Sequence, residues 1–347
     1  MLPNGWKKVM LGDVVSVASG KNKSRDAKGT YPVYGSTGVI GYCNEYQYSK
    51  DCILIARVGA NAGCIHQAHG KYDVSDNTLV VDCCDQYDFN FAYQHLLGLN
   101  INQYVFGSGQ PLVTGGLLKK IEISLPPIEE QKKIAATLSV WDSAIEKMEK
   151  FIDAKENDLN IVLRQNLLEK GIALKWKEIP LTEILKSVTP PSKIRQDSYL
   201  NSGKYPIVDQ SKDLIAGWTN DESSVLKINR PLIIFGDHTC ALKIMHMPFA
   251  QGADGIKILS AKDGYDPTYI YYAITANPVI PEGYKRHFSA LMLKSILCPS
   301  LEEQKKYAAY FKSLDEEISL LKQQLENYKK QKQGLMQKLL TGQWRVK

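Results

Sequence analysis

The stretch Leu125-Pro126-Pro127-Ile128-Glu129-Glu130-Gln131-Lys132-Lys133-Ile134-Ala135-Ala136 returns as Cys298-Pro299-Ser300-Leu301-Glu302-Glu303-Gln304-Lys305-Lys306-Tyr307-Ala308-Ala309. The offset is 173 residues, and Glu-Glu-Gln-Lys-Lys is identical in both. Working outward, Trp6-Lys7 recurs as Trp176-Lys177 at offset 170, and Tyr31-Pro32-Val33 as Tyr205-Pro206-Ile207 at 174. Leu163-Arg164-Gln165-Asn166-Leu167-Leu168 recurs as Leu335-Met336-Gln337-Lys338-Leu339-Leu340 at 172. Matches in one order at nearly constant offset mean a tandem duplication, with a period far above that of solenoids and propellers.

Within each copy the hydrophobic period changes. Ile134, Leu138, Trp141, Ile145, Met148, Ile152, Lys155, Leu159 and Val162 follow steps of four and three. The second copy repeats the steps with Tyr307, Phe311, Leu314, Ile318, Leu321, Leu325, Tyr328, Lys332 and Leu335. That is a heptad seam, flanked by the Glu and Lys a solvated outer face needs. Pro127 and Pro299 precede the helices, Glu pairs occupy their first turns, and Gly171 and Gly342 mark the expected ends. A helix of about 40 residues spans roughly 60 Å at 1.5 Å per residue. Two such helices in one chain are expected to pair antiparallel with one globule at each end, because a parallel pair requires an awkward return of the chain.

The rest of each copy carries short β-branched runs such as Cys52–Ala56, Thr78–Val81, Pro231–Phe235 and Ile256–Leu259, with helix near Phe91–Leu97 and Tyr269–Ile274. The expected class is α+β: two mixed domains, residues 1–126 and 172–298, separated by an antiparallel pair of helices at 127–171 and 299–347. A length of 347 residues suits two or three domains, and 44% hydrophobic content argues against disorder. No apolar run of 18 residues and no leader-like start occur, so a cytoplasmic location is expected. The seven cysteines include no CxxC pair, so reduced thiols are expected rather than a disulfide framework or a structural metal site.

Charge is uneven. Residues 1–173 hold 18 Lys+Arg and 19 Asp+Glu, leaving 25 and 18 of the totals 43 and 37 for residues 174–347, so the halves carry net −1 and +7. A polyanionic partner fits that excess. Catalytic motifs are missing: GxxxxGK[ST], HExxH, GxSxG and GxGxxG do not occur, nor does the Pro-Pro-Tyr or Pro-Pro-Phe step of amino-methyltransferases. Glu130-Gln131-Lys132 and Glu303-Gln304-Lys305 fit half of a nuclease metal site, but helix first turns account for their glutamates. Neither a catalytic residue nor a metal site is expected.

The tandem unit, the phrase Leu-Pro-Pro-Ile-Glu-Glu-Gln-Lys-Lys-Ile at 125–134 and the Leu-Leu-Thr-Gly helix end at 339–342 resemble the DNA-specificity subunit of Type I restriction-modification systems. Tyr31-Pro32-Val33-Tyr34-Gly35 and Arg57-Val58-Gly59 look like phrases of that family's target-recognition domains. The resemblance covers essentially the whole chain. It implies that each globule reads one half of a split, asymmetric double-stranded DNA target while the helices set the spacing. It also implies two methyltransferase subunits and restriction subunits as partners, with S-adenosylmethionine, ATP and magnesium bound by those partners and no cofactor here. A protein-binding helical scaffold without DNA readout is the alternative.

DNA contacts are expected from Lys and Arg on loops and from Arg, Lys, Asn, Gln or His reaching base edges. Lys21, Lys23 and Arg25 form a basic turn, and the duplicate carries Lys193 and Arg195 at offset 172 from the two lysines. Arg57 and Asn61 lie on a glycine-bearing loop after an expected strand. Gln110 and Lys119 in the first copy, and Lys285 and Arg286 in the second, precede the helices. His238 and Lys243 complete the candidates.

Overall fold

The computed structural model describes residues 2–21, 26, 28–105, 111–253, 255–283 and 285–346. Lys23, Arg25 and Gln110 lie outside the described residues. The chain forms two compact units, Met1–Glu149 with Gln324–Lys347, and Lys150–Gln323. This grouping follows space rather than chain order, so each long helix contributes to both units.

In the first unit a four-stranded antiparallel sheet runs in the order Val15–Ser19, Thr78–Cys83, Cys52–Ala56, Ile65–Ala68. The central strand Cys52–Ala56 is buried at all five positions, which requires cover on both faces. Because successive side chains point to opposite faces, Ile53 and Ile55 pack toward Phe91 and Leu96 of the helix Phe89–Gly98, whereas Cys52 and Leu54 join Tyr72 and, from a smaller sheet, Val74. That sheet orders Gly38–Cys43, Tyr31–Gly35 and Asp73–Val74. A third pair, Lys7–Met10 with Glu122–Leu125, closes the domain below the long helix.

The second unit repeats the plan with one strand added. Its sheet runs Leu185–Val188, Ile256–Ala261, Leu232–Gly236, Leu242–Met245. Ile233 and Phe235 face Tyr269 and Ile270 of the helix Pro267–Ala276, while Leu232 and Ile234 face Val208 and Phe249. The smaller sheet, Gly217–Thr219, Tyr205–Val208, Phe249–Gln251, adds one short strand, Val225–Leu226.

The repeated Glu-Glu-Gln phrase has a structural reason centred on its glutamine. Gln131 Nε2 donates to the Gln86 and Pro126 carbonyls, each at 2.9 Å, and its Oε1 accepts from Asp88 N at 2.9 Å. Gln304 repeats this, donating to the Pro299 carbonyl at 3.0 Å and accepting from Asp266 N at 3.0 Å. Asp88 and Asp266 in turn cap the helices Phe89–Gly98 and Pro267–Ala276 through Phe91 N and Tyr269 N. Each buried glutamine therefore bolts a long helix to the domain it follows. Glu130 has a different duty: Arg345 clasps its carboxylate from both sides and Trp6 Nε1 donates at 3.2 Å.

The long helices run Ile128–Arg164 and Leu301–Leu340. Every position of the two heptad series is buried or half-buried. In the first unit Ile134 and Leu138 share a core with Leu339 and Leu340, Trp141 meets Tyr328 edge-on, and Asp142 and Glu149 pair with Lys332 and Lys329. In the second, Leu163 and Leu167 share a core with Ala308 and Phe311, while Lys155 and Glu156 pair with Glu317 and Lys322. Within each unit the helices are thus antiparallel. Gly171 departs from its expected role as a helix end. The first helix continues through a π-helical segment, Gln165–Glu169, and a last turn, Lys170–Ala173. The left-handed residue is Lys175, at φ 55°. Gly171 is needed for packing, since a Cβ there would lie 2.9 Å from the Trp176 ring. Gly342, at φ +72°, does follow its helix in the left-handed region.

Candidate nucleic-acid interface

The exit of the central strand is built identically in both domains. In the first, Arg57 N donates to the Asn77 carbonyl at 2.8 Å and the Arg57 carbonyl accepts from Val113 N at 2.8 Å. In the second, Asp237 N donates to the Gly255 carbonyl at 2.7 Å and its carbonyl accepts from His287 N at 2.8 Å. Arg57 and Asp237 therefore occupy the same backbone position with opposite charges. A second pair of bonds aligns the basic loops: Lys21 N donates to the Val74 carbonyl at 3.0 Å and Ile194 N to the Gln251 carbonyl at 2.9 Å. Lys21 corresponds to Ile194, one residue beyond Lys193, because the loops differ in length.

In the second domain the strand exit opens a groove of about 420 Å³ lined by Lys193, Gln210, Asp237, His238, Gln251, Lys257 and Arg286 with the backbone of Gly255 and Ile256. Three residues singled out in the sequence, Lys193, His238 and Arg286, meet here. Among the described lining residues Lys193, Lys257 and Arg286 accompany one carboxylate, Asp237, whose Oδ1 accepts from His287 N at 3.0 Å and Phe288 N at 2.9 Å. The described lining residues carry more positive than negative side chains. Gly255, at φ +106°, lets the chain pass Gln210, whose Oε1 would lie 2.7 Å from a Cβ there. Gln210 and Lys257 were missed in the sequence, although Lys257 sits at the outward position of an Ile-Lys-Ile strand, the usual signal for an exposed face.

Among the described residues, Arg57 Nε, Ser75 Oγ and Thr78 Oγ1 in the first domain and Gln210 Oε1 and Ser211 Oγ in the second are buried without a hydrogen-bond partner. His66 Nε2 and Gln94 Oε1 are buried in the same way, but away from the strand exits.

The remaining candidates are distributed as follows. Arg57 is half-buried on a loop whose Gly59 N donates to the Pro111 carbonyl, and Asn61 is half-buried in the turn that follows, its carbonyl accepting from Cys64 N. Lys21, Lys119 and Arg195 are exposed. Lys285 is exposed and pairs with Glu282 at 2.5 Å, holding that carboxyl below the usual carboxylate range. Lys243 is placed inside the domain: it is 5% exposed and donates to the Asp209 carbonyl at 2.8 Å. Burial pushes its ammonium below the usual lysine range, with Asp209 and Asp213 pulling the other way. It supports the Gln210 turn from beneath rather than facing the groove. Among the described residues no group of His, Cys, Asp and Glu could hold a metal ion.

The family model for the Type I restriction modification DNA specificity domain matches residues 3–154. The MjaVIII specificity subunit of Methanocaldococcus jannaschii is 24% identical over an alignment covering 100% of this chain and 94% of that protein. Over residues 3–154 the chain is thus similar to the Type I restriction-modification DNA specificity domain, and over its whole length to a specificity subunit. The EcoprrI specificity subunit of Escherichia coli is 28% identical over 144 residues, a match spanning 40% of this chain and 36% of that protein. The S subunit of M. genitalium shares the fold over 98% of both chains, with a TM-score of 0.64 at 18% identity. A chain solved in work on complex assembly and conformational transition of the type I R-M system aligns over 99% of this chain and 100% of its own, with a TM-score of 0.57 at 16% identity. No described helix of the chain is long and apolar enough to cross a membrane.

Proposed function

We propose that this chain is the non-catalytic DNA-recognition subunit of a Type I restriction-modification system, in which each α+β domain reads one half of a split, asymmetric duplex sequence. The observation that carries this reading is the groove at the second domain's strand exit, whose described lining includes Lys193, Lys257 and Arg286, matched in the first domain by Arg57 on the same backbone framework. Identical scaffolds bearing different side chains suit two unlike half-sites. The chain directs two methyltransferase subunits and the restriction subunits that join them; methyl donor, ATP and magnesium are bound by those partners. A nuclease role for Glu130 is disfavoured by its clasp with Arg345, and one for Glu303 by its bond to the Ser300 hydroxyl at 2.8 Å.

The test is duplex binding by the chain assembled with its methyltransferase subunits, as a function of salt. Log affinity should fall linearly with log salt, and each phosphate contact removed should reduce the slope by about 0.9. Reversing Lys193 and Lys257 to Glu should weaken binding by about tenfold or more while leaving the assembly intact. Equal binding to every duplex at moderate salt defeats the reading. Unchanged DNA binding by the reversed variant, with the assembly intact, favours the scaffold alternative.

A further inference from the structure

The helix Phe288–Met292 begins at His287, whose side chain does not cap it. In the first domain the equivalent helix, Gly115–Lys119, is capped by its own Thr114 through Leu117 N at 3.2 Å. In the second domain the cap comes from another part of the chain: Asp237 Oδ1 accepts from both His287 N and Phe288 N. His287 completes the bond set. Its Nε2 accepts from Glu282 N at 2.9 Å, so Nδ1 carries the proton and faces the Asp237 carbonyl at 3.2 Å. Both residues are buried. His287 and Phe288 are thereby fastened to the exit of the central strand, and Glu282 is tied to His287. Arg286, next to His287, is exposed and lines the groove with Gln210 and Lys257.

We infer that Asp237 is the positioning residue for readout of one half-site, latching His287 and Phe288 so that Arg286 is presented to the DNA at a fixed place in the groove. The inference rests on the DNA-recognition reading above and adds which residue sets the geometry in the second domain. The first domain cannot use the same device, because Arg57 at the equivalent position has no acceptor for those amides. The two half-sites thus differ in how the reading residue is held as well as in its identity. Arg286 projects from a braced segment. Arg57 carries its own guanidinium directly on the strand exit.

The experiment compares the methylation motif produced in cells by the full chain, co-produced with its methyltransferase subunits, for the natural sequence, Asp237→Ala, Asp237→Asn and Arg286→Ala. Asn retains the Oδ1 acceptor and should preserve the natural motif. Asp237→Ala should relax one half of the motif, lowering discrimination at one or two base pairs by about tenfold or more, with the other half unchanged. Arg286→Ala should relax the same positions with the latch untouched, which keeps the inference testable if Asp237→Ala disturbs folding. A natural-sequence motif with no bipartite character removes the recognition reading and the latch with it. With that motif present, the latch is refuted by three outcomes: Asn behaving like Ala, both halves relaxing together, or Arg286→Ala leaving both halves sharp.

Discussion

Replacing Arg345 by Ala should destabilise the first unit selectively. Arg345 Nε and Nη2 donate to the two Glu130 carboxylate oxygens at 2.5 and 2.8 Å, and Nη1 reaches the Asn4 carbonyl at 3.3 Å. The Glu130 side chain is 9% exposed and that of Arg345 is 44% exposed. Without the guanidinium, the carboxylate keeps one protein donor, the Trp6 indole at 3.2 Å. Hydrogen bonds to charged groups contribute about 1.5–3 kcal/mol, and solvent at the half-exposed guanidinium takes back part of that. A net cost of about 2 kcal/mol corresponds to a fall of roughly 4–8 °C for a unit of this size. Calorimetry of the full chain should show this shift in one transition and leave the transition of residues 150–323 in place. In a double-mutant cycle with Glu130→Ala, the coupling should be about 1–2 kcal/mol. Coupling below about 0.3 kcal/mol would refute the reasoning, because the two side chains would then be energetically independent despite their geometry.

Two further outcomes are expected. Reversing Asp142→Lys or Lys332→Asp alone should each cost about 2 kcal/mol, since Lys332 is only 15% exposed in this pair. The double reversal should recover at least half of the combined loss in thermal melting; a loss equal to the sum of the singles would refute the antiparallel pairing. Burial holds His95 neutral, its pKa pushed down to about 4, with Tyr87 as its hydrogen-bonded neighbour at 3.1 Å. The unfolded chain takes up a proton near pH 6.5 and the folded one only near 4, so stability should fall as pH drops through that window, by up to about 3 kcal/mol. Urea titrations of His95→Gln should lack this component; identical slopes in both proteins would sink the assignment.

The heptad seams, the duplication and the buried central strands were legible because each is a periodic pattern, and periodicity reports which face is covered. The functional loops are not periodic. Arg57 and Asp237 are equivalent at a spacing of 180, whereas the phrases that revealed the duplication lie 170–174 apart, so insertions between them hid the match. The same drift placed Lys21 opposite Lys193 when the backbone pairs it with Ile194. Lys243 shows another limit. Residue type suggested an outward cation, yet the Asp209 carbonyl from a neighbouring turn holds it inside. Gln131 and Gln304 were visible as a repeated letter, but their role depends on carbonyls contributed by Gln86, Pro126 and Pro299, which only the fold brings together.

The division of the chain into one interrupted unit and one continuous unit also bears on synthesis. Residues 150–323 contain all the segments of their own unit, so that part can close as soon as it leaves the ribosome. The first domain is made earlier and yet lacks Leu339 and Leu340, which share its core with Ile134 and Leu138, until translation reaches the last helix. All segments of the second unit are therefore synthesised before the first unit has its last one. During that interval the apolar stripe around Leu138 is open to solvent, and nascent chains cut short before residue 324 would retain it, a direct route to aggregation and chaperone capture.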